Sequence, residues 1–179
     1  SIVDAVSIRD RPAEAADRAV PGHWEGDLLA GGKNTHVATL AERRSRFVML
    51  VKVESKDTRT VVDALRRRVR TLPRQLRATL TWDRGMELAE HKRFTVATDV
   101  KVYFCDPRSP WQRGTNENIN GLLRQYLPKD SDLSRHSQAE LHAIGCLPEL
   151  SDHGHGGRRK DRSAVGLVVE ADIAGDDRQ

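Results

Sequence analysis

The sequence has little cysteine and lacks any long hydrophobic run. Its two cysteines, Cys105 and Cys146, form no CxxC pair, so the sequence indicates neither a disulfide framework nor a zinc site. No apolar stretch approaches the roughly 20 residues that span a bilayer, and no signal peptide is visible. We therefore expect a reduced, cytoplasmic protein with no contact with a membrane.

The charge is mildly basic overall, but the basic residues are clustered. The net charge is +4, whereas the helical stretch 58–72 presents a face rich in arginine. Such clustering favours an anionic partner, with nucleic acid the obvious candidate, and a solvated helix face is the competing interpretation. The chain of 179 residues is long enough for one domain with a core, but too short for two.

Three stretches of the chain differ in character. Residues 1–22 show no sustained period and are interpreted as a lead-in segment. Residues 23–144 carry the apolar patterns of strands and helices and are interpreted as the folded core. Residues 145–179 are rich in glycine and lack aromatic residues, so we expect this tail to lack stable order.

The order of the predicted elements defines an α/β fold. Three consecutive strands predict a meander, and the alternation of helix and strand after it predicts a mixed sheet with helices on its faces. The patterns predict strands at 24–29, 35–40, 47–53, 78–83 and 100–104, and helices at 58–72, 86–97, 116–126 and 137–144.

Three carboxylates lie at the ends of predicted elements. Asp83 ends the strand 78–83, where Gly85 breaks the pattern, Asp27 ends the first strand, and Glu117 opens a helix. Taken singly, an aspartate at a strand end is more often a turn or helix cap. Acids from unlike elements that meet at one sheet edge would supply the oxygen ligands that Mg²⁺ needs for phosphoryl transfer.

The helical pattern predicts that Glu117 faces away from the core. At about 100° per residue, Glu117 lies opposite the apolar stripe, on the side of Asn120, Gly121 and Arg124. The stripe consists of Ile119, Leu122, Leu123 and Tyr126. We therefore expect the Glu117 face to look towards a site or solvent.

Several neighbours of these acids have two interpretations. Glu25 shares a strand face with Asp27. It could be a fourth carboxylate of the site or a surface residue, and we favour the surface residue. His23 could contact a scissile phosphate or serve as a structural histidine. Trp111 and Arg113, in a loop with two prolines, could wedge against unpaired DNA, or the loop could be anchored by a buried tryptophan.

The segments 22–27 (GHWEGD), 80–85 (LTWDRG) and 116–126 (NENINGLLRQY) resemble the IS-thirty family of DDE transposases of bacterial insertion sequences. The resemblance includes all three acids, in the order and spacing of the family, and covers about residues 2–144. It implies an RNase H-like (integrase catalytic core) fold, with a mixed five-stranded sheet flanked by helices.

The resemblance also implies a function and its site residues. Asp27 would be shared by two Mg²⁺ ions about 4 Å apart, with Asp83 and Glu117 each holding one, and Mn²⁺ could replace Mg²⁺. The expected reaction is metal-dependent DNA cleavage and strand transfer, with element ends and target DNA as partners and a homo-oligomer as the active form. The predicted DNA contacts are Arg66, Arg67, Arg70, Arg113, Arg124 and Lys129.

Two departures from the family shape the alternatives. The chain opens on Ser1 with no counterpart of the family's helix-turn-helix, and beyond Ile144 the tail differs from the family, as in a fragment or a frameshifted copy. We expect weak or no transposase activity from this chain alone. The alternatives are a catalytically silent remnant that binds DNA or an intact subunit, and an RNase H-type nuclease, which the spacing of the acids disfavours.

Overall fold

The structure, a computed structural model, describes residues 1–152 and is built on one mixed five-stranded sheet. The strands are β1 (His23–Ala30), β2 (His36–Glu42), β3 (Val48–Val53), β4 (Thr79–Trp82) and β5 (Lys101–Phe104). Their order is β3-β2-β1-β4-β5. The first three form an antiparallel meander, and β4 and β5 are added parallel to β1. This confirms the predicted α/β architecture.

The helices follow the alternation expected from the sequence. They are α1 (Ala13–Asp17), α2 (Thr58–Val69), α3 (His91–Thr98), α4 (Gly114–Leu123), α5 (Gln138–Gly145) and α6 (Glu149–Asp152). Asp57 caps α2, because its side chain accepts a hydrogen bond from the Thr60 N–H at 2.9 Å. Within residues 1–152, no helix has the length and apolar character that crossing a bilayer requires.

The sheet separates two hydrophobic cores. In β3, Met49 and Val51 belong to the core shared with α2 and α3, whereas Val48 and Leu50 belong to the core shared with α4 and α5. Because successive strand residues point to opposite faces, β3 is buried on both sides, and all of its residues except Lys52 are apolar.

The prediction of one helix over residues 86–97 is wrong in its extent. A 3-10 turn occupies Met86–Leu88, and α3 begins only at His91. Within α3, Phe94 is buried whereas Val96 is 85% exposed, because residues two apart on an α-helix lie on nearly opposite sides. Met86, an apolar residue within the predicted helix, is 57% exposed.

Both ends of the described chain pack on this core. Near the start, the Phe104 N–H donates to the Val6 carbonyl oxygen at 2.8 Å, next to the bridge between Ser7 and Phe104. At the other end, Leu150 is buried in the core beneath α4, so residues 145–150 join the fold, which differs from the predicted disordered tail. The prediction for 153–179 lies outside the described residues.

Candidate active site

Asp27 and Asp83 lie side by side because β1 and β4 are parallel neighbours. The pairing of these strands ends at Glu25 and Thr81, so Asp27 lies beside the end of β4. Asp27 is inside β1, whereas the sequence predicted that it ends the strand. Asp83 follows the last residue of β4 directly. The sheet topology therefore brings two of the three predicted acids to one place.

The guanidinium of Arg113 joins these two carboxylates. Its Nη1 lies 3.3 Å from Asp27 Oδ2, and its Nη2 lies 3.6 Å from Asp83 Oδ2. Nη1 also donates to the Gly26 carbonyl oxygen at 3.1 Å. Arg113 is only 6% exposed, so it lies within the site and not on the loop surface expected of a DNA contact.

Burial and neighbouring charges act on the acidic groups of the site in opposite directions. Burial raises the pKa of Asp27, as does the nearby Asp83 charge, while Arg113 and the Leu28 N–H oppose the rise. Burial also raises the pKa of the neighbouring Cys105 thiol to about 11, which keeps it neutral. When both carboxylates are ionised, Arg113 is the cation that lies between them, and Arg84 and Arg108 line the cleft beside Asp83.

Glu117 lies on the exposed side of the first turn of α4, as its helical position predicts. One turn further on, Asn120 Nδ2 donates to Asp27 Oδ2 at 3.1 Å, so this side of the helix borders Asp27. Within residues 1–152, however, no three His, Cys, Asp or Glu side chains are grouped closely enough to hold a metal ion. The structure therefore joins Asp27 to Asp83 but does not join Glu117 to them, and the triad stays a prediction.

Glu25 is fully buried, so the surface interpretation of this residue is wrong. It forms an ion pair with Arg43, and its Oε2 accepts a hydrogen bond from the Asn116 N–H at 2.7 Å. The physical reason is that the face shared by Glu25 and Asp27 is the one covered by α4. Burial raises the pKa of Glu25, while Arg43 and the Asn116 N–H oppose the rise.

Two further alternatives can be compared with the structure. His23 is 1% exposed, and its Nδ1 lies 2.7 Å from Thr79 Oγ1, which favours the structural interpretation. Trp111 is 72% exposed, so the loop before α4 is not anchored by a buried tryptophan. An exposed indole therefore stands on the loop that carries Arg113 into the site.

The remaining predicted DNA contacts do not form one surface. Arg66 on α2 pairs with Asp63 at 2.9 Å, whereas Arg67 and Arg70 are exposed. On the opposite side of the sheet, Arg124 Nη1 donates to the Ala30 carbonyl oxygen at 2.8 Å. Lys129 is exposed beyond the end of α4, so Arg124 and Lys129 lie on the α4 side and the α2 arginines on the other.

The sheet order and the paired carboxylates define the class of fold, that of the RNase H-like integrase catalytic cores. A chain of the cryo-EM structure of the simian T-cell lymphotropic virus intasome in complex with PP2A regulatory subunit B56 gamma shares this fold, with a TM-score of 0.52. The match covers 70% of this chain and 47% of that chain, at 19% sequence identity. Residues 17–110 match the family described as Integrase core domain, and the chain belongs to this family.

Curated relatives match a longer part of the chain. The transposase InsI of insertion sequence element IS30A from Escherichia coli (strain K12) is 54% identical over 146 residues, 82% of this chain and 38% of the relative. The transposase of insertion sequence element IS1086 from Cupriavidus metallidurans is 54% identical over 80% of this chain and 42% of the relative. These matches confirm the predicted relation to IS-thirty transposases, although the chain spans only about two fifths of their length.

Proposed function

We propose that this chain is a transposase catalytic core that cleaves DNA and transfers the cleaved strand in a metal-dependent reaction. The observation that carries the proposal is that Asp27 and Asp83, from adjacent parallel strands, both lie beside the buried guanidinium of Arg113. The transposases among its relatives support the same reaction class.

The donor set fits a divalent cation. Asp27 and Asp83 already lie on either side of one positive group, the Arg113 guanidinium, and carboxylate oxygens are the ligands that Mg²⁺ prefers. Asp27, Asp83 and Glu117 would hold two Mg²⁺ ions, which Mn²⁺ could replace. When bound, the metal lowers the pKa of a water or 3′-hydroxyl and neutralises charge on the reacting phosphate.

The side chains around the acids orient them and add positive charge. Asn120 and the Leu28 N–H both hydrogen-bond the Asp27 carboxylate, which fixes its orientation. Arg113 holds the two acidic side chains together and, close to a scissile phosphate, would stabilise the charge that develops there. A cleft of about 290 Å³ beside Asp83 is lined by Arg84 and Arg108, and suits the neighbouring phosphates of DNA.

Cleavage of a labelled DNA duplex in Mg²⁺ or Mn²⁺ tests the proposal. The Asp83→Asn variant should lose all nicking, because it removes a ligand charge but no core volume. Asp99→Asn is the matched control: Asp99 is exposed at φ 61°, a conformation that asparagine adopts readily, and this variant should cleave like the parent. Equal cleavage by the Asp83 variant would refute the assignment.

The same assay separates the alternatives. A catalytically silent remnant would bind the duplex but leave it intact in both metals. An RNase H-type nuclease would cleave an RNA·DNA hybrid and spare the DNA duplex. Mass measurement of the protein–DNA complex would test the proposed homo-oligomer.

A further inference from the structure

Helix α4 lacks an N-terminal cap from its own residues. The residue before it, Arg113, makes no side-chain capping hydrogen bond, because its guanidinium points to the two aspartates. The first N–H groups of a helix have no partner within the helix and normally bond a Ser, Thr, Asp or Asn side chain at the cap position. Another acceptor must therefore serve this turn.

Glu25 of β1 supplies that acceptor. Its Oε2 receives the N–H of Asn116, the third residue of α4, at 2.7 Å, and this is the N–H that a local cap side chain commonly binds. The positive end of the helix dipole also favours a carboxylate here. A strand residue thus replaces the missing cap and ties the start of α4 to β1.

Further hydrogen bonds connect the first turn of α4 to Asp27. Asn116 Nδ2 donates to Thr39 Oγ1 at 3.1 Å, which fixes the same turn to β2. Asn120 Nδ2 lies 3.3 Å from Asn116 Oδ1 and 3.1 Å from Asp27 Oδ2. Glu117 lies between these two asparagines in the sequence, so its distance from Asp27 depends on where this turn is held.

We propose that Glu25 is a positioning residue: its buried carboxylate caps α4 from the neighbouring strand and so sets the place of Glu117 relative to Asp27. This inference rests on the proposed function, because it concerns the metal site formed by those acids. Glu25 itself does not bind the metal, since its oxygens are engaged by Arg43 and Asn116.

Binding of Mn²⁺ alone, measured from the electron paramagnetic resonance of the free ion, tests the proposal without catalysis. Glu25→Gln should weaken Mn²⁺ binding about tenfold, the lower end of the effect of changing a partner behind a metal ligand. The matched control is Glu42→Gln. Glu42 is equally buried, but its carboxylate accepts hydrogen bonds from Gly22 and Ser45 and not from the α4 N–H that Glu25 binds, and its variant should change the affinity less than twofold.

A combination with Glu117→Gln shows whether Glu25 acts through Glu117. Alone, Glu117→Gln should weaken Mn²⁺ binding about tenfold, and in the Glu25→Gln background less than about threefold, because the displaced Glu117 no longer contributes. If Glu25→Gln fails to fold, the double variant Glu25→Met/Arg43→Met leaves no unpaired buried charge and should show the same loss.

The outcomes separate the inference from the proposed function. Additive losses, or normal Mn²⁺ binding after loss of Glu25, would overturn the positioning role while leaving the metal site in place. An unchanged affinity in Glu117→Gln would overturn the proposed triad and, with it, the inference. Non-additive losses confined to Glu25 and Glu117 would support both.

Discussion

At the scale of single residues, Arg113 compensates the charges of the two neighbouring aspartates. Its guanidinium bonds the Gly26 carbonyl oxygen and lies beside both Asp27 and Asp83. Without it, two partly buried carboxylates would lie close together with no cation between them, which raises the free energy of the folded state.

Arg113→Gln should therefore lower the free energy of unfolding by about 2 kcal/mol, less than for a fully buried pair because both aspartates are partly exposed. Mg²⁺ should raise the melting temperature of this variant more than that of the parent, since a cation can replace the lost charge. Thermal melts with and without Mg²⁺ measure both effects. The exposed Arg108, replaced by glutamine, is the control, and an equal Mg²⁺ response in all three proteins would contradict the account.

The sequence predicts the acids better than the residues that surround them. Asp27 and Asp83 stand out because each interrupts an apolar strand. Arg113 and Glu25 could not be assigned, since their partners are distant in the sequence and depend on how α4 lies across the sheet. Only the alternation that puts Glu25 on the face of Asp27 indicates its place, and that signal fits a surface residue equally well.

At the scale of elements, the packing of β1 against β4 depends on a glycine. A Cβ at Gly26 would lie 2.4 Å from Cζ3 of Trp82, a side chain that is fully buried. By contrast, a Cβ at Gly121, on α4, would have no neighbour within 4 Å. Close packing therefore requires a glycine at position 26, whereas position 121 has room for a side chain.

Gly26→Ala should destabilise the fold by about 1–3 kcal/mol, because the rigid indole cannot give way without moving the strand. Gly121→Ala should stabilise it by about 0.5–1 kcal/mol, because alanine favours an exposed helix position. Urea denaturation of both variants measures the difference. A neutral Gly26→Ala variant would show that β1 and β4 are less closely packed than described.

The cap of α2 should make stability depend on acid pH. The Ser55 hydroxyl, with the N–H and hydroxyl of Thr60, lowers the pKa of Asp57 to about 2 from 3.8. Because the pKa is lowered on folding, the stabilisation is present above pH 3.8 and is lost as the pH falls through about 2.

Asp57→Asn retains a capping side chain without this titration. Between about pH 4 and about pH 2, the melting temperature of the parent should therefore fall further than that of the variant. Circular dichroism melts across this range provide the measurement. Parallel curves would show that the Asp57 cap contributes no pH dependence.

Element predictions from the sequence succeed where burial alone decides them. The nearly continuous apolar run of β3 and the apolar spacing of α2 are both explained by the hydrophobic cores to which these residues belong. The helix predicted at 86–97 fails at its start, because a 3-10 turn occupies Met86–Leu88 and α3 begins only at His91. Trp82 Nε1 donates to Glu87 Oε1 in this turn at 3.2 Å, a contact that helical periodicity does not predict.

At the scale of the whole molecule, the sheet divides the predicted DNA contacts between two sides. Arg67 lies on α2, whereas Lys129 lies beyond α4, on the side of the paired aspartates. If DNA reaches the acids, it contacts the α4 side. The strand order that underlies this division is seen only in the structure, because periodicity cannot tell which strands are neighbours.

Lys129→Gln should weaken DNA binding and reduce the slope of log affinity against log salt by about 1, as expected for one lost phosphate contact. Arg67→Gln should leave the slope unchanged. Fluorescence anisotropy with a labelled duplex at several salt concentrations gives both slopes. A larger effect of Arg67→Gln would place DNA on the α2 side and contradict the proposed approach to the site.

The central claim is that Asp27, Asp83 and Glu117 hold catalytic metal, and the anomalous scattering of Mn²⁺ in crystals of this chain tests it most directly. We expect an anomalous peak between the Asp27 and Asp83 carboxylates, with Glu117 turned towards it and Arg113 displaced from its position between the aspartates. Crystals in Mn²⁺ that show no peak at these residues, with Arg113 still joining the two aspartates, would contradict the account.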